Sequence, residues 1–225
     1  MIDLHTHTIF SDGAFLPSES ARRAKVAGYQ AMAFTDHADA SNLFLLLENL
    51  NRVAGQGAAY YGLDILLGVE LTHVPPGLIA RMTETARMNG AQLIVVHGET
   101  IVEPVETGTN LAAIEAGVDI LAHPGLISAE ETRLAADKGV HLEITTRKGH
   151  SLTNGHVAAM AREFGARLVI NNDAHGAGDM VSRELRQRIA LGAGMTQDEY
   201  LQAEANSWAL VDRKRKSGYA SNPQP

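Results

Sequence analysis

Short apolar runs alternate with amphipathic stretches along the chain. Met1 to Leu4 reads as a strand, and Ser18 to Ala27 as a helix ending at Gly28. Ala31 to Thr35 is a second strand, and Asn42 to Val53 a second helix with Gly55 and Gly57 behind it. Ile65 to Glu70 is a third strand. Gly77 to Asn89 reads as a helix led in by two prolines, with Gly90 where a C-terminal glycine belongs. Gln92 to Val96 follows as strand four. Asn110 to Ala116 is a short helix stopped at Gly117, with Asn110 as its cap. Val118 to Ala122 is strand five. Ser128 and Glu131 have capping-box spacing for a helix to Lys138. Val140 to Thr145 is strand six, and Asn154 to Phe164 a helix closed by Gly165. Arg167 to Asn171 is strand seven, and Asp179 to Leu191 its helix. Gln197 to Trp208 is expected to pack as one more helix outside the core.

Seven strand–helix units joined by short loops imply a parallel sheet. The unbroken succession favours a closed or nearly closed barrel over a doubly wound open sheet. The length of 225 residues suits one such domain. It is expected to span residues 1–211, and the polar stretch from Asp212 to Pro225 is expected to fray.

Composition narrows the chemistry. There is no cysteine, so disulfides and thiolate metal sites are excluded, and any metal must sit on His, Asp or Glu. A formal net charge of -7 and 5% aromatics argue against a nucleic-acid binder, which needs a basic face and stacking rings. No run approaches the roughly 18 apolar residues of a membrane span, and no secretory leader is visible at Met1. A cytoplasmic location is the expectation.

Ten histidines are many for this length, and their positions matter more than their number. Asp3, His5 and His7 close strand one; Asp36 and His37 close strand two; Glu70 closes strand three. His97 and Glu99 close strand four, and His123 strand five. Glu143 and Arg147 lie in and after strand six, and Asp173 and His175 follow strand seven. In a parallel barrel all these ends share one face, the face that carries active sites. A lone histidine at a strand end is more often structural, and His-x-His alone says only that alternate residues share a side. Histidines at five strand ends, with carboxylates beside them, point to a metal site suited to Zn, Mn or Fe. His141 and His156 fall outside this pattern and read as structural or surface residues. His73 is left open, and His150 lies where it can touch substrate.

The segments His5-Thr6-His7, Ser11-Asp12-Gly13, Thr35-Asp36-His37, Gly68-Val69-Glu70, Leu121-Ala122-His123-Pro124 and Asp173-Ala174-His175 resemble the polymerase and histidinol phosphatase (PHP) family. The match runs from Met1 to about residue 192. The resemblance implies an α/β fold, a distorted (β/α)7 barrel with parallel strands, holding two or three divalent metal ions (Zn, Mn or Fe). It implies His5, His7, Glu70 and Asp173 on a first metal, with Glu70 bridging to a second held by His97 and His123. It places Asp12, His37 and His175 on a third. The chain has no polymerase module and is similar to the stand-alone phosphoesterases, histidinol-phosphate phosphatases among them.

Adjacent metals can activate a water, clamp phosphate oxygens and stabilise a leaving alkoxide. The nucleophile is assigned to a water between metals, beside Glu70. Arg147 is the leading candidate to bind phosphate through its two-pronged guanidinium, with Arg183 as a second candidate. Asp36 is expected to orient a metal ligand or shuttle a proton, and His175 to donate a proton to the leaving group. The acidic loop of Glu99, Glu103 and Glu106 either recognises a cationic group or is solvated. The expected partner is a small phosphorylated metabolite, with no membrane and no nucleic acid. A phosphodiesterase or nuclease, an amide hydrolase and a non-catalytic metal-binding domain are the alternatives.

Overall fold

Parallel pairing organises the chain from end to end. The computed structural model describes residues 1–218. Its strands are β1 (Ile2–Asp3), β2 (Ala31–Phe34), β3 (His37–Ala38), β4 (Asp64–Leu71), β5 (Leu93–His97), β6 (Ile120–Ala122), β7 (His141–Thr145) and β8 (Arg167–Asn171). The helices are α1 (Pro17–Val26), α2 (Leu43–Ala54), α3 (Pro76–Met88), α4 (Thr109–Glu115), α5 (Ala129–Lys138), α6 (Asn154–Phe164), α7 (Arg183–Gly192) and α8 (Gln197–Gly218). The sheet order is β1-β2-β4-β5-β6-β7-β8, with β3 also on β4.

β2 and β3 are two halves of one bent stave. β2 pairs with the first half of β4, Ala31 opposite Asp64, and β3 with the second, His37 opposite Glu70. Gly68 faces the bend. A Cβ there would stand 2.9 Å from Leu93 O and 3.0 Å from Thr35 Cγ2, so only glycine fits. At the other seam, His7 N–H donates to Ala174 O at 2.9 Å and Ala174 N–H to His5 O at 3.2 Å. Seven parallel staves therefore make a nearly closed barrel, as the strand–helix alternation suggested.

Period-two alternation sorts the strand residues into layers. Met32, Leu67, Val96, Leu142 and Ile170 face the helices in one apolar cluster. Leu66, Leu93, Val95, Ile120 and Val169 belong to a second cluster inside the barrel. Two or four residues further along stand Glu70 and His97, on β4 and β5, and Asp173, just past β8. The interior is thus apolar at the base and polar at the mouth.

Local signals set several helix ends. The Ser128 hydroxyl accepts from Glu131 N–H while the Glu131 carboxylate accepts from Ser128 N–H, a complete capping box. Gly90 follows α3 with φ 96°. Asn110 is not the cap of α4: it lies inside the helix, its Oδ1 accepting from Glu99 N–H and its Nδ2 donating to Pro124 O. It stitches the loops after β5 and β6 together.

The last helix departs most from expectation. α8 does not stop at Trp208 or pack outside the core. It runs to Gly218, and Leu210 and Val211 are buried in the barrel's inner cluster, closing the base. Each buried aliphatic side chain of this kind contributes about 1.5–3 kcal/mol. Residues 212–218, expected to fray, are helical, and the expectation for 219–225 lies outside the described residues. Among the described residues no helix is long and apolar enough to cross a membrane.

Candidate metal centre

The mouth is assembled from strand ends and the backbone just beyond them. His5 and His7 lie past β1, where the Thr6 N–H bonds to Thr35 Oγ1 at 3.0 Å. The Ser11-Asp12-Gly13 turn folds back over this segment. Gly13 N–H donates to Thr8 O, and a Cβ on Gly13 would lie 2.5 Å from His7 O, so a side chain there would push the turn away. Along β6 the inward residues Ile120 and Ala122 would be followed by Pro124. His123 instead takes a left-handed φ of 26°, which departs from that pattern. Asp173 is likewise left-handed at φ 53°. Non-glycine residues hold such conformations only when their surroundings fix them.

Glu70, fully buried, is the hub. Its Oε1 lies 3.2 Å from His5 Nε2, 3.3 Å from His97 Nδ1 and 3.8 Å from His123 Nε2. Its Oε2 lies 2.6 Å from His37 Nδ1 and 3.7 Å from His7 Nε2. Asp173 Oδ1 lies 3.2 Å from His7 Nε2 and 3.7 Å from His5 Nε2, and Oδ2 lies 3.7 Å from His123 Nε2. At the exposed edge Asp12 Oδ1 stands 3.2 Å from His175 Nε2 and 3.4 Å from His37 Nε2. All nine residues named from the sequence are brought together.

The donor set fits divalent metal ions. His5 Nε2, both nitrogens of His7 and of His123, Glu70 Oε1 and Asp173 Oδ1 are buried without a hydrogen-bond partner. Buried polar atoms left so are costly unless a ligand satisfies them. Ligands at about 2.1 Å around a tetrahedral ion stand about 3.4 Å apart, the spacing of these pairs. Within the nine, four overlapping groups have the geometry: His5, His7 and Glu70; His5, His123 and Asp173; Glu70, His97 and His123; and His7, Asp12, His37 and His175.

Electrostatics prepares the ligands. Burial opposes charge on Glu70, yet His5 and His37 hold its carboxyl well below the usual range. Burial likewise opposes charge on Asp173, and His5 and His7 hold its carboxyl low. Burial lowers His7 to about 4 and pushes His123 well down, leaving neutral imidazoles with lone pairs to give. His37 and His97 rise to about 10 and about 9: burial opposes their charge, but Glu70 with Asp12 on one and Glu103 with Glu70 on the other prevail. Protons there occupy positions a cation would take.

Carboxylates and carbonyls behind the cluster set ring orientation. Glu143 Oε1 accepts from His5 Nδ1 at 2.9 Å and from Asn171 Nδ2 at 2.9 Å, so the lone pair of His5 Nε2 faces inward. Asp173 O accepts from His175 Nδ1 at 3.0 Å, turning Nε2 toward Asp12. Asp36 orients a candidate ligand, but through the Asp12 turn and not through its neighbour His37. Its oxygens accept from Thr8 N–H, Thr8 Oγ1 and Ser11 Oγ at 2.8–3.0 Å. It anchors the turn that carries Asp12, so it positions the site from behind.

Comparison with known proteins agrees with this geometry. The family model described as the PHP domain matches residues 3–148. The chain belongs to the PHP family. An uncharacterized protein of Methanocaldococcus jannaschii is 47% identical over 199 residues, covering 88% of this chain and 91% of the relative. A protein of Thermoanaerobacter sp. named a probable phosphatase is 28% identical over 257 residues, covering 97% of each chain. Among solved structures, a chain of an archaeal ribonuclease P with mature tRNA has a TM-score of 0.71 at 18% identity, covering 100% of this chain and 95% of that one. That likeness is one of fold.

Around the PHP cluster the other candidates divide. Arg147 is at the rim: its Nη1 lies 3.2 Å from Asp179 Oδ2 and 3.5 Å from Asp173 O. His150 is in the site, stacked on His123 with ring centres 4.1 Å apart, its Nδ1 2.8 Å from Thr100 Oγ1. Arg183 is elsewhere. It lies 4.0 Å from Glu204 and acts on the Met1 amino group, at the base, so it cannot reach a phosphate at the mouth. The acidic loop also divides. Glu99 Oε1 accepts from Gly108 and Asn110 N–H, whereas Glu103 reaches His97 at 3.0 Å. His141 Nδ1 lies 3.2 Å from Asp119 O, and His156 Nε2 2.7 Å from Ile127 O, both outside the cluster. The role of Glu143 was the main omission. Its inward register, two residues from His141 and Thr145 on β7, was the available signal.

Proposed function

We propose that the chain hydrolyses a small-molecule phosphomonoester, as a metal-dependent phosphoesterase of the PHP family. The observation that carries this reading is the cluster of nine His, Asp and Glu side chains around Glu70, with a guanidinium at its edge. The name of the Thermoanaerobacter relative supports phosphate-ester chemistry. His5, His7, Glu70 and Asp173 would hold a first ion, His97 and His123 with Glu70 a second, and Asp12, His37 and His175 a third, with Zn, Mn or Fe as the suited metals. Bound there, such ions would supply an activated water and neutralise the charge of the ester.

The chain's own residues do the remaining work. Asp179 holds Arg147 through Nη1, beside Asp173, where the guanidinium can take phosphate oxygens in two-pronged fashion. Glu143 fixes His5, and Asp36 fixes the Asp12 turn, so the donor set is rigid before substrate arrives. His150 stacks on the His123 ring and fixes its plane. His175 Nε2 is turned to Asp12, so in this reading it holds a cation and does not serve as the acid of the leaving group.

The test is hydrolysis of a chromogenic phosphomonoester, a phosphodiester and an amide by protein reconstituted with Mn, Fe or Zn. Monoester turnover well above the other two is expected, and Arg147→Ala should weaken it mainly through KM. Turnover of the diester alone would replace the monoester reading with a phosphodiesterase. A preference for amides would end the phosphoesterase reading.

A further inference from the structure

Outside the nine-residue set, a second group of donors meets at the outer edge of the mouth. Glu103 projects from the loop after β5, His73 from the turn after β4, and His150 from the short helix after β7. Glu103 Oε2 lies 3.0 Å from His97 Nε2 and 3.6 Å from His73 Nε2. Glu103 Oε1 lies 3.3 Å from His150 Nε2. His97 is buried, and its Nε2 has no hydrogen-bond partner despite the nearby carboxylate. The donor atoms of His73, His97 and Glu103 lie within 4.8 Å of one another.

The spacing discriminates between two kinds of cation. Acceptors around an ammonium group, each about 2.8 Å from its nitrogen, stand roughly 4.6 Å apart. Donors around a metal ion at about 2.1 Å stand about 3.4 Å apart. The two separations from Glu103, 3.0 and 3.6 Å, fit the metal, and His73 and His97 stand within 4.8 Å of each other. The backbone points the same way. Among the described residues the non-glycine positions with left-handed φ are His73, His123 and Asp173, and the latter two belong to the inner cluster.

We propose that His73, His97 and Glu103 hold a further divalent metal ion of the Zn, Mn or Fe(II) class, outside the nine-residue centre. His97 links the two, since its Nδ1 faces Glu70 at 3.3 Å while Nε2 faces outward; holding both ions at once requires the ring to give up its N–H proton to solvent and bridge as imidazolate. The inference rests on the inner metal reading only through that shared ring. With His73 and Glu103 exposed, the outer ion exchanges with solvent more readily than ions below it. Three protein donors leave positions open for water or for a substrate oxygen.

Equilibrium dialysis of the full chain against Mn2+, followed by elemental analysis, tests this with His73→Asn and Glu103→Gln as separate variants. Each variant is expected to hold one ion per chain fewer than the unsubstituted protein and to keep the rest. Equal stoichiometry in all three proteins would overturn the outer site and leave the inner centre standing. Loss of every ion in both variants would also overturn it, because the two residues would then belong to the inner centre. No ion in the unsubstituted protein would remove both readings together.

Discussion

The two ends of the barrel treat buried charge in opposite ways. At the base, Arg186 is fully buried, and its guanidinium donates to Ile2 O and Ile170 O across the β1–β8 seam while Nε lies 3.0 Å from Glu204. Asp119 is ringed by Arg87, Arg213 and Lys214 at 2.6–3.5 Å. Each cation there faces an anion or a carbonyl oxygen, and the Arg186 Nε and Glu204 Oε1 atoms, which lack a hydrogen bond, face each other as an ion pair. At the mouth, three imidazole nitrogens crowd one oxygen of Glu70. Several of these atoms have no hydrogen-bond partner at all. Complementary buried charge fastens a fold; buried lone pairs gathered on one point await a cation.

Substitutions at each end should separate these roles. Glu70→Gln removes the hub, so kcat/KM should fall about 10^3-fold, the scale of losing a major electrostatic contact to the transition state. Metal content should fall with it, while the metal-free variant stays folded; elemental analysis and circular dichroism check both. Arg186→Met should do the reverse. It strands Glu204 and two backbone carbonyls, costing about 3–5 kcal/mol in urea unfolding of metal-free protein. The metal number per chain should not change.

A finer contrast lies within β7, whose His141 faces the base and Glu143 the mouth. Burial lowers His141 to about 4 from 6.5. Between those pH values the unfolded chain takes up a proton that the folded chain refuses. Stability is therefore fully present above pH 6.5 and is lost as pH falls toward 4, by up to about 3 kcal/mol. His141→Gln should flatten that part of the stability–pH curve measured by denaturant unfolding. Glu143→Gln should instead weaken metal binding by about 10–100-fold, the usual scale for a carboxylate orienting a ligand histidine. A competitive chelator titration reads that change.

The same contrast explains what could be read from the sequence. The apolar runs marked every stave, and the spacing of His5, His7, Glu70, His97, His123 and Asp173 at their ends marked the mouth. What escaped notice depends on where side chains turn once the backbone leaves the strand. Asp36 adjoins His37, yet it points to Thr8 and Ser11, a choice made by the Gly13 turn. Arg183 begins a helix that follows the last strand, yet that helix starts after a return to the base. Glu103 looked like one charge in an acidic loop. Its role depends on His73, whose left-handed backbone no spacing rule reveals. The plug of the base was hidden because Leu210 and Val211 immediately precede the charged run from Asp212.

The most direct measurement is elemental analysis of gently purified protein, paired with phosphomonoester hydrolysis on the same sample. At least two Zn, Mn or Fe ions per chain are expected, with turnover that disappears on chelation and returns on adding metal. A protein that holds no metal, and stays inactive after reconstitution with Mn, Fe and Zn, would contradict the reading of the mouth as a catalytic metal centre.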